Sequence, residues 1–391
     1  SPYYISLDAL IEEGLLTEEE CSSVDCGNDT GKVDYEKIYH TRFQLLRRAF
    51  ERAEPEKDPE YRTFVSENEQ WLKDYALYMA VKDSLGGVSW IGWDEDIRLR
   101  KPEAMARYER ELADNIMFYS YQQYLFSKQW TALKRYANDR GICIVGDIPI
   151  YVAFDSADTW ADPELFQLDR ENVTTAVAGC PPDAFSATGQ LWGNPLYRWE
   201  YHEETQFAWW MRRLAHCFDI YDIVRIDHFR GFDEYWAVPY GDETAENGEW
   251  KKGPGYRLFE VMKRTLGNRP VIAEDLGFLT PGVLKLVKRT GYPGMKVLQF
   301  AFDAGGESDY LPHNYNNNCV VYTGTHDNDT VNGWIASMGR KDLAFARKYL
   351  NVRRNADIRE SLIRTALASV ADTAVIPMQD YLGLGGEARI N

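Results

Sequence analysis

Positive charge is scarce in this 391-residue chain: 44 Lys and Arg stand against 61 Asp and Glu, for a formal net charge of −17. Proteins that hold phosphate backbones or anionic headgroups need a basic face, so this balance argues against nucleic acid and membrane surfaces as partners. Cysteine is sparse too. Its six copies (Cys21, Cys26, Cys143, Cys180, Cys217, Cys319) are scattered without the paired spacing of a zinc site. Cys143 and Cys319 fall within strand-like runs, where a thiol ordinarily serves as a small buried hydrophobe. No stretch of twenty apolar residues and no leader-like pattern is present, so the expected setting is reduced and cytoplasmic. Fixed-period repeats and low-complexity tracts are also lacking, which sets aside repeat architectures.

What is present is a large apolar and aromatic load. Apolar residues make up 45% of the chain, enough for a real core, and there are 12 Trp and 25 Tyr. Many of these rings must be core, but aromatic faces also stack on the apolar faces of sugar rings. The length suits one large α/β barrel or two ordinary domains. Residues 1–140 are rich in charge and carry apolar residues at three- and four-residue spacing, as in YEKIYHTRFQLLRRAFERA, and predict helices. Thr17 ahead of three acidic residues is a helix start. No strand of barrel quality is predicted there.

From Gly141 the pattern becomes strand, loop, helix, strand. Six short runs rich in Val and Ile (GICIVGDIPI, DIVRIDHF, PVIAEDLG, GMKVLQFAF, CVVYTGTHD and DTAVIPMQD) predict strands buried on both faces. With helical stretches such as PGVLKLVKRTG between them, they predict a parallel α/β architecture, two strands short of a closed barrel of eight. Several of these runs end in an acid: Asp147, Asp227, Glu274 and Asp327. A buried barrel strand points its last side chains into the mouth where substrates bind. Two acids flanking a bond, with a third nearby, are the equipment of retaining glycoside chemistry.

Each motif also has a plainer reading. In DIVRIDHF, alternation puts Arg225 and Asp227 on one face, where the Arg would hold the carboxylate ionised and oriented for nucleophilic attack; a structural ion pair would look the same. Glu274, with its pKa raised by burial and a neighbouring carboxylate, could protonate a leaving oxygen, while Asp275 points the other way and caps or pairs. His326 and Asp327 in TGTHDNDT form a polar cluster that also suits a metal, but no second histidine at ligand spacing accompanies them. Residues 151–196 contain no long helix or strand and are expected to be an active-site loop region presenting aromatics, or else a packed loop whose Phe185 and Trp192 plug the core.

Taken together, GDIPIYVAFDSADTW, PPDAFSATGQLWGNPLYRW, YDIVRIDHFRGF, IAEDLG, GYPGMKVLQFAFD, YTGTHDNDT and ADTAVIPMQDYLGLGGEARIN resemble the 4-α-glucanotransferase family, also called amylomaltases or disproportionating enzymes, of glycoside hydrolase family 77. The resemblance covers nearly the whole chain, including NEQWLKDYALYMAVKD in the helical part. It implies a (β/α)8 TIM barrel with helical insertions: residues 1–140 as a mainly helical insertion and 141–391 as the catalytic barrel portion. The family's first two barrel strands are absent from the chain as it begins, so a longer natural protein is expected. The implied activity is transfer of a 1,4-α-glucan segment to glucose or another glucan by retaining double displacement.

By motif match Asp227 would be the nucleophile, Glu274 the acid/base and Asp327 the transition-state stabiliser. Arg225 would orient Asp227, and His326 would bind the donor sugar. Asp147 would match the first shared region of the α-amylase superfamily, and Asp183, Phe185 and Trp192 would lie in a loop covering the acceptor side. Ala184 stands where many relatives carry Tyr, which implies weaker acceptor stacking. The resemblance implies maltooligosaccharides or α-glucans as substrates and no cofactor or metal. An α-glucan hydrolase and a non-catalytic glucan-binding protein are the alternative readings.

Overall fold

The computed structural model describes every residue except 28–31, 184–185, 278, 304–306 and 391. Its strands are β1 (Val145–Ile148), β2 (Ala176–Cys180), β3 (Gln190–Pro195), β4 (Ile223–Ile226), β5 (Glu234–Pro239), β6 (Glu249–Lys252), β7 (Val271–Ala273), β8 (Gly294–Val297), β9 (Cys319–Tyr322) and β10 (Thr373–Val375). The chain divides into two units. One comprises Ser1–Ile144, Tyr151–Thr205 and Ala237–Glu249; the other comprises Val145–Ile150, Gln206–Trp236 and Trp250–Asn391.

In the first unit, residues 1–144 are helical, as their periodicity predicts. Thr17 starts Glu18–Ser22 with a capping box: its hydroxyl accepts from the Glu20 N–H at 3.2 Å, and the Glu20 carboxylate accepts from the Thr17 N–H at 3.0 Å. Asp34 caps Tyr35–Ala53 by accepting from the Lys37 N–H at 3.1 Å. That helix buries Leu45, Leu46, Ala49 and Phe50, one stripe at helical spacing. The stripe packs in one core with Phe118, Tyr121 and Leu125 of helix Ala113–Asn138. A second core gathers Leu77, Tyr78 and Val81 of helix Glu69–Ser84 around Trp90, Trp93 and Trp160.

Residues 151–196 are less irregular than expected. They carry the helix Ala157–Ala161 and an antiparallel hairpin of β2 and β3. The hairpin is hard to see in sequence because AVAGC and QLWGNP are short and glycine-bearing, with weak strand propensity. The glycine has a reason: a Cβ on Gly179 would lie 2.6 Å from the Gln190 carbonyl oxygen.

The second unit holds all six expected strands. β1, β4 and β7 form one parallel sheet in that order, and β8, β9 and β10 form another. The Ala273 N–H on β7 donates to the Pro293 carbonyl just ahead of β8 at 3.0 Å, linking the two sheets. Ile272, Met295, Val297, Val320 and Tyr322 form the core between these strands. A second cluster packs helix Ile358–Ala368, through Ile358, Leu362 and Ala366, against Leu298, Val321 and Val331. The second unit is mixed α/β with two small parallel sheets of three strands each; the strands described do not form a complete eight-stranded barrel, and the six found in these sheets are the number expected from sequence.

All six cysteines are free thiols. Cys319 is buried in β9 as expected, but Cys143 is exposed and precedes β1, because the ladder starts only at Val145. Among the described residues no helix is long and apolar enough to cross a membrane.

Gly146 in β1 is a close-approach position, since a Cβ there would fall 2.0–2.3 Å from the Tyr221 ring. Gly146→Ala should therefore overpack the β1–β4 sheet and destabilise the fold by about 1–3 kcal/mol or more. Urea unfolding of the variant checks this, and an unchanged midpoint would contradict the close contact.

Candidate active site

The site is built by strand register. Asp147 on β1 is the register partner of Arg225 on β4, so both project from the same face. The Arg225 Nη1–H donates to both Asp147 oxygens at 2.7 Å and to Asp227 Oδ1 at 3.0 Å. Asp227 lies two residues beyond Arg225, and the same alternation returns it to that face. The Arg225 Nε–H points to Met295 Sδ at 3.3 Å. The Arg225 side chain is only 9% exposed, whereas the Asp147 and Asp227 side chains are 42% and 43% exposed. One dry cation thus gathers two carboxylates that still reach solvent.

Glu274 follows from the next ladder. Ile226 on β4 pairs with Ala273 on β7, so one further step sets Glu274 beside Asp227. The Glu274 N–H donates to the Ile226 carbonyl and the Asp227 N–H to the Ile148 carbonyl, both at 3.0 Å, so the pairing persists past the strand ends. Two backbone N–H groups hold the Glu274 carboxyl: His228 to Oε2 at 2.8 Å and Leu276 to Oε1 at 2.7 Å. His228 has φ 50°, the left-handed region that a non-glycine residue adopts only under constraint, and there its amide faces the carboxyl. Asp275 points away and accepts from the Met295 N–H at 2.7 Å, the pairing role expected of it.

The electrostatics separate the two acids. Burial raises the Glu274 pKa to about 7, with the Asp227 charge pushing the same way; the Leu276 and His228 amides and Arg225 pull it down. Burial also raises Asp227, against the attraction of Arg225 and with the help of Asp147 and Asp327. From sequence, Arg225 is expected to hold Asp227 ionised and oriented; its pull on the carboxyl is present but does not set the net direction of the shift. Desolvation and two negative neighbours outweigh it, and the carboxyl lies above its ordinary range. The Arg225 pKa is lowered by its own desolvation, but the surrounding carboxylates more than compensate, and the net direction is up.

His326 and Asp327 lie on the loop that follows β9, His326 Nε2 being 3.4 Å from Asp327 Oδ2. Both side chains are exposed, at 54% and 63%. Asp327 is close enough for its charge to be felt at Asp227. A cavity of about 340 Å³ is lined by Arg225, Met295, Tyr322, His326, Gln379 and Arg389, among others.

Asp147, Arg225, Asp227, Glu274, His326 and Asp327 are therefore all in the second unit. Asp183 and Trp192 belong to the first. There Asp183 closes a turn, accepting from the Ser186 N–H at 2.8 Å, and the Trp192 ring lies 6.4 Å from Tyr151. Phe185, like Ala184, lies outside the described residues. Among the described residues no three His, Cys, Asp or Glu side chains are grouped as a metal site.

Sequence reasoning missed His228, Met295, Gln299 and Asp380. Asp380 closes the run DTAVIPMQD, but it lies in the helix Met378–Leu382 rather than at the end of β10, so strand-end position does not mark it. Nothing in sequence marks His228, whose part is played by its backbone.

The sequence profile of the 4-alpha-glucanotransferase family matches residues 1–391. The 4-alpha-glucanotransferase of Clostridium butyricum is 46% identical over 393 residues, covering 100% of this chain and 81% of that protein. The 4-alpha-glucanotransferase of Thermus thermophilus is 46% identical over 402 residues, covering 100% and 79%. Among solved structures, the amylomaltase from Streptococcus agalactiae in complex with acarbose superposes with a TM-score of 0.96 at 40% identity, covering 100% of this chain and 79% of that one.

In the folded protein, Glu274 holds its proton well above the ordinary carboxyl range. Between that range and about pH 7 the folded state binds more protons than the unfolded one, so the contribution of this group to stability falls as pH rises through the window. Carbon-detected NMR should show Glu274 titrating near 7 and shifting down in Asp227→Asn, where a negative neighbour is removed. An upward or absent shift would refute the coupling.

Proposed function

The chain belongs to the 4-α-glucanotransferase family, and from that membership we propose the residues through which it moves a 1,4-α-glucan segment to a glucose or glucan acceptor. The observation that carries the reading is the strand register that sets Asp227 beside Glu274 with Arg225 beneath them. Adjacent strands lie about 4.8 Å apart, which suits the roughly 5–5.5 Å between carboxyls in a retaining glycosidase.

In the first step the Asp227 carboxylate attacks the anomeric carbon while the Glu274 carboxyl gives its proton to the glycosidic oxygen. The leaving sugar departs and a glycosyl ester remains on Asp227. Esterification removes the negative charge that helps raise the Glu274 pKa. Glu274 is then more easily kept as the carboxylate, the form that acts as base in the second step. It takes the proton of an acceptor hydroxyl, whose oxygen attacks the same carbon and releases Asp227. Asp327 grips sugar hydroxyls in the flattened transition state, and His326 bonds the donor sugar. Asp147 steadies Arg225, which orients Asp227.

Water at ~55 M competes for the ester, so transfer requires an acceptor held in attack geometry, where effective molarities of about 10⁵ M or more are attainable. Asp183, Phe185 and Trp192 are proposed as that acceptor-side loop. The six parallel strands, in chain order with helices between them, read as six of the eight strands of a (β/α)8 barrel, with residues 1–140 as a helical insertion and 141–391 as the barrel portion.

Incubation with maltotriose should yield glucose together with maltooligosaccharides longer than the substrate, at a constant number of reducing ends. Asp227→Asn should lower the rate by about 10³-fold or more. New reducing ends would instead indicate a hydrolase. Binding of maltotriose without turnover by the folded protein would indicate a glucan-binding role.

A further inference from the structure

The three acids are not mounted alike. Asp227 and Glu274 extend ladder pairs, while Asp327 stands on a loop, residues 324–330, between β9 and helix Val331–Ser337. Its reach toward a sugar depends on where that loop is pinned. One side chain pins both ends. Asp380, only 1% exposed, accepts from the hydroxyl of fully buried Thr323 at 2.7 Å and from the Val331 N–H at 2.8 Å. A carboxylate offers each of these two donors its own acceptor, in a setting where an unmet donor would be costly.

Secondary ties lie between the two anchors. The Gln299 side-chain amide donates to the Asp329 carbonyl at 2.8 Å, and Gly324 packs so closely on that amide that a Cβ would fall 2.4 Å from its nitrogen. The Asn328 side chain accepts from the Thr325 N–H at 2.8 Å and hydroxyl at 2.9 Å. Arg389 donates to the Asp327 carbonyl at 3.3 Å. Asp380 is itself fixed, its carbonyl accepting from Arg359 Nη1 at 2.7 Å.

We propose that Asp380 is a positioning residue for the transfer reaction: by tying Thr323 to Val331 it sets where the 324–330 loop holds His326 and Asp327. This rests on the role given above to Asp327. Because Asp327 is assigned to the transition state, misplacing its loop should cost turnover more than ground-state binding.

The test measures maltotriose disproportionation by the full chain carrying Asp380→Ala, Asp380→Asn, Asp327→Asn or the Asp380→Ala/Asp327→Asn pair, with thermal unfolding alongside. Misplacement by about 1 Å can cost 10²-fold, so Asp380→Ala should lower kcat by about 10- to 100-fold with KM changed less than about 3-fold. Asp380→Asn keeps an acceptor for the Val331 N–H and can donate to the Thr323 oxygen, so it should recover to within about 5-fold of the parent kcat. The double variant should be no more than about 3-fold slower than Asp327→Asn alone, since the Asp327 carboxylate is no longer there to misplace and only the His326 contact is left to disturb.

Should Asp380→Ala not fold, Thr323→Val removes one anchor in a near-isosteric way and should lower kcat by about 3- to 10-fold. Full activity in folded Asp380→Ala or in Thr323→Val, equal losses in Asp380→Asn and Asp380→Ala, or multiplying effects in the double variant would overturn the proposal while leaving Asp327 in its role. Full activity in Asp327→Asn would overturn the role of Asp327 itself, and the proposal with it.

Discussion

One guanidinium makes the rest of the site possible. Asp147, Asp227, Glu274 and Asp327 all bring potential negative charge to the same strand ends, and repulsion among them grows as water is excluded. Arg225 answers that repulsion from below, with Nη1 shared between Asp147 and Asp227 and Nε turned to the Met295 sulfur. Burying such a cluster brings no general stability, because desolvation of the ions offsets their attraction. Its consequence is positional: the cation is dry and fixed while the carboxylates keep an exposed side for a ligand.

Charge alone would pull the acids together without defining their separation. The parallel ladders supply that. Register pairs Asp147 with Arg225 and Ile226 with Ala273, so residues that face one another do so through hydrogen bonds made elsewhere along the strand. The backbone then reaches into the chemistry directly. Amides of His228 and Leu276 occupy the Glu274 oxygens and temper a pKa that burial would otherwise carry higher. The left-handed turn at His228 is one conformation serving two neighbours, since the residue before it bears one acid and its own amide holds the other.

The loop-mounted acid is arranged differently. Asp327 shares no ladder pair with the other two, and its surroundings are side chains contributed from distant points in the chain: Asp380 after β10, Gln299 after β8 and Arg389 near the carboxyl-terminal end. In the mechanism proposed, the bond-making and bond-breaking acids stand on rigid elements, while the group assigned to grip sugar hydroxyls sits on a loop fastened at its ends. That division suits a reaction in which sugar must enter, distort and leave between two chemical steps.

Much of this is legible in the residues alone. Apolar runs of four or five residues rich in Val and Ile identify six strands; β4, β7, β8 and β9 are largely buried on both faces as that composition predicts, whereas β1 alternates exposed and buried and β10 is partly exposed. An acid at the end of such a run points to the mouth, and alternation by two is enough to place Arg225 and Asp227 on one face. Helical spacing likewise locates Tyr35–Ala53 and its neighbours. The hairpin of β2 and β3, the exposure of Cys143 and the left-handed His228 are not legible. Each depends on what packs nearby rather than on local pattern: a carbonyl that only glycine can approach, a ladder that begins two residues late, an amide turned toward a carboxyl. Charge balance is likewise a tertiary outcome. Sequence puts an Arg two residues before an Asp and suggests an ionised carboxylate, but the two negative neighbours, Asp147 on β1 and Asp327 on the loop after β9, and the burial that amplifies them, come from elsewhere in the chain. Short-range order determined which residues could form the site, and the strand register and burial decided how Asp227 and Glu274 would hold their protons.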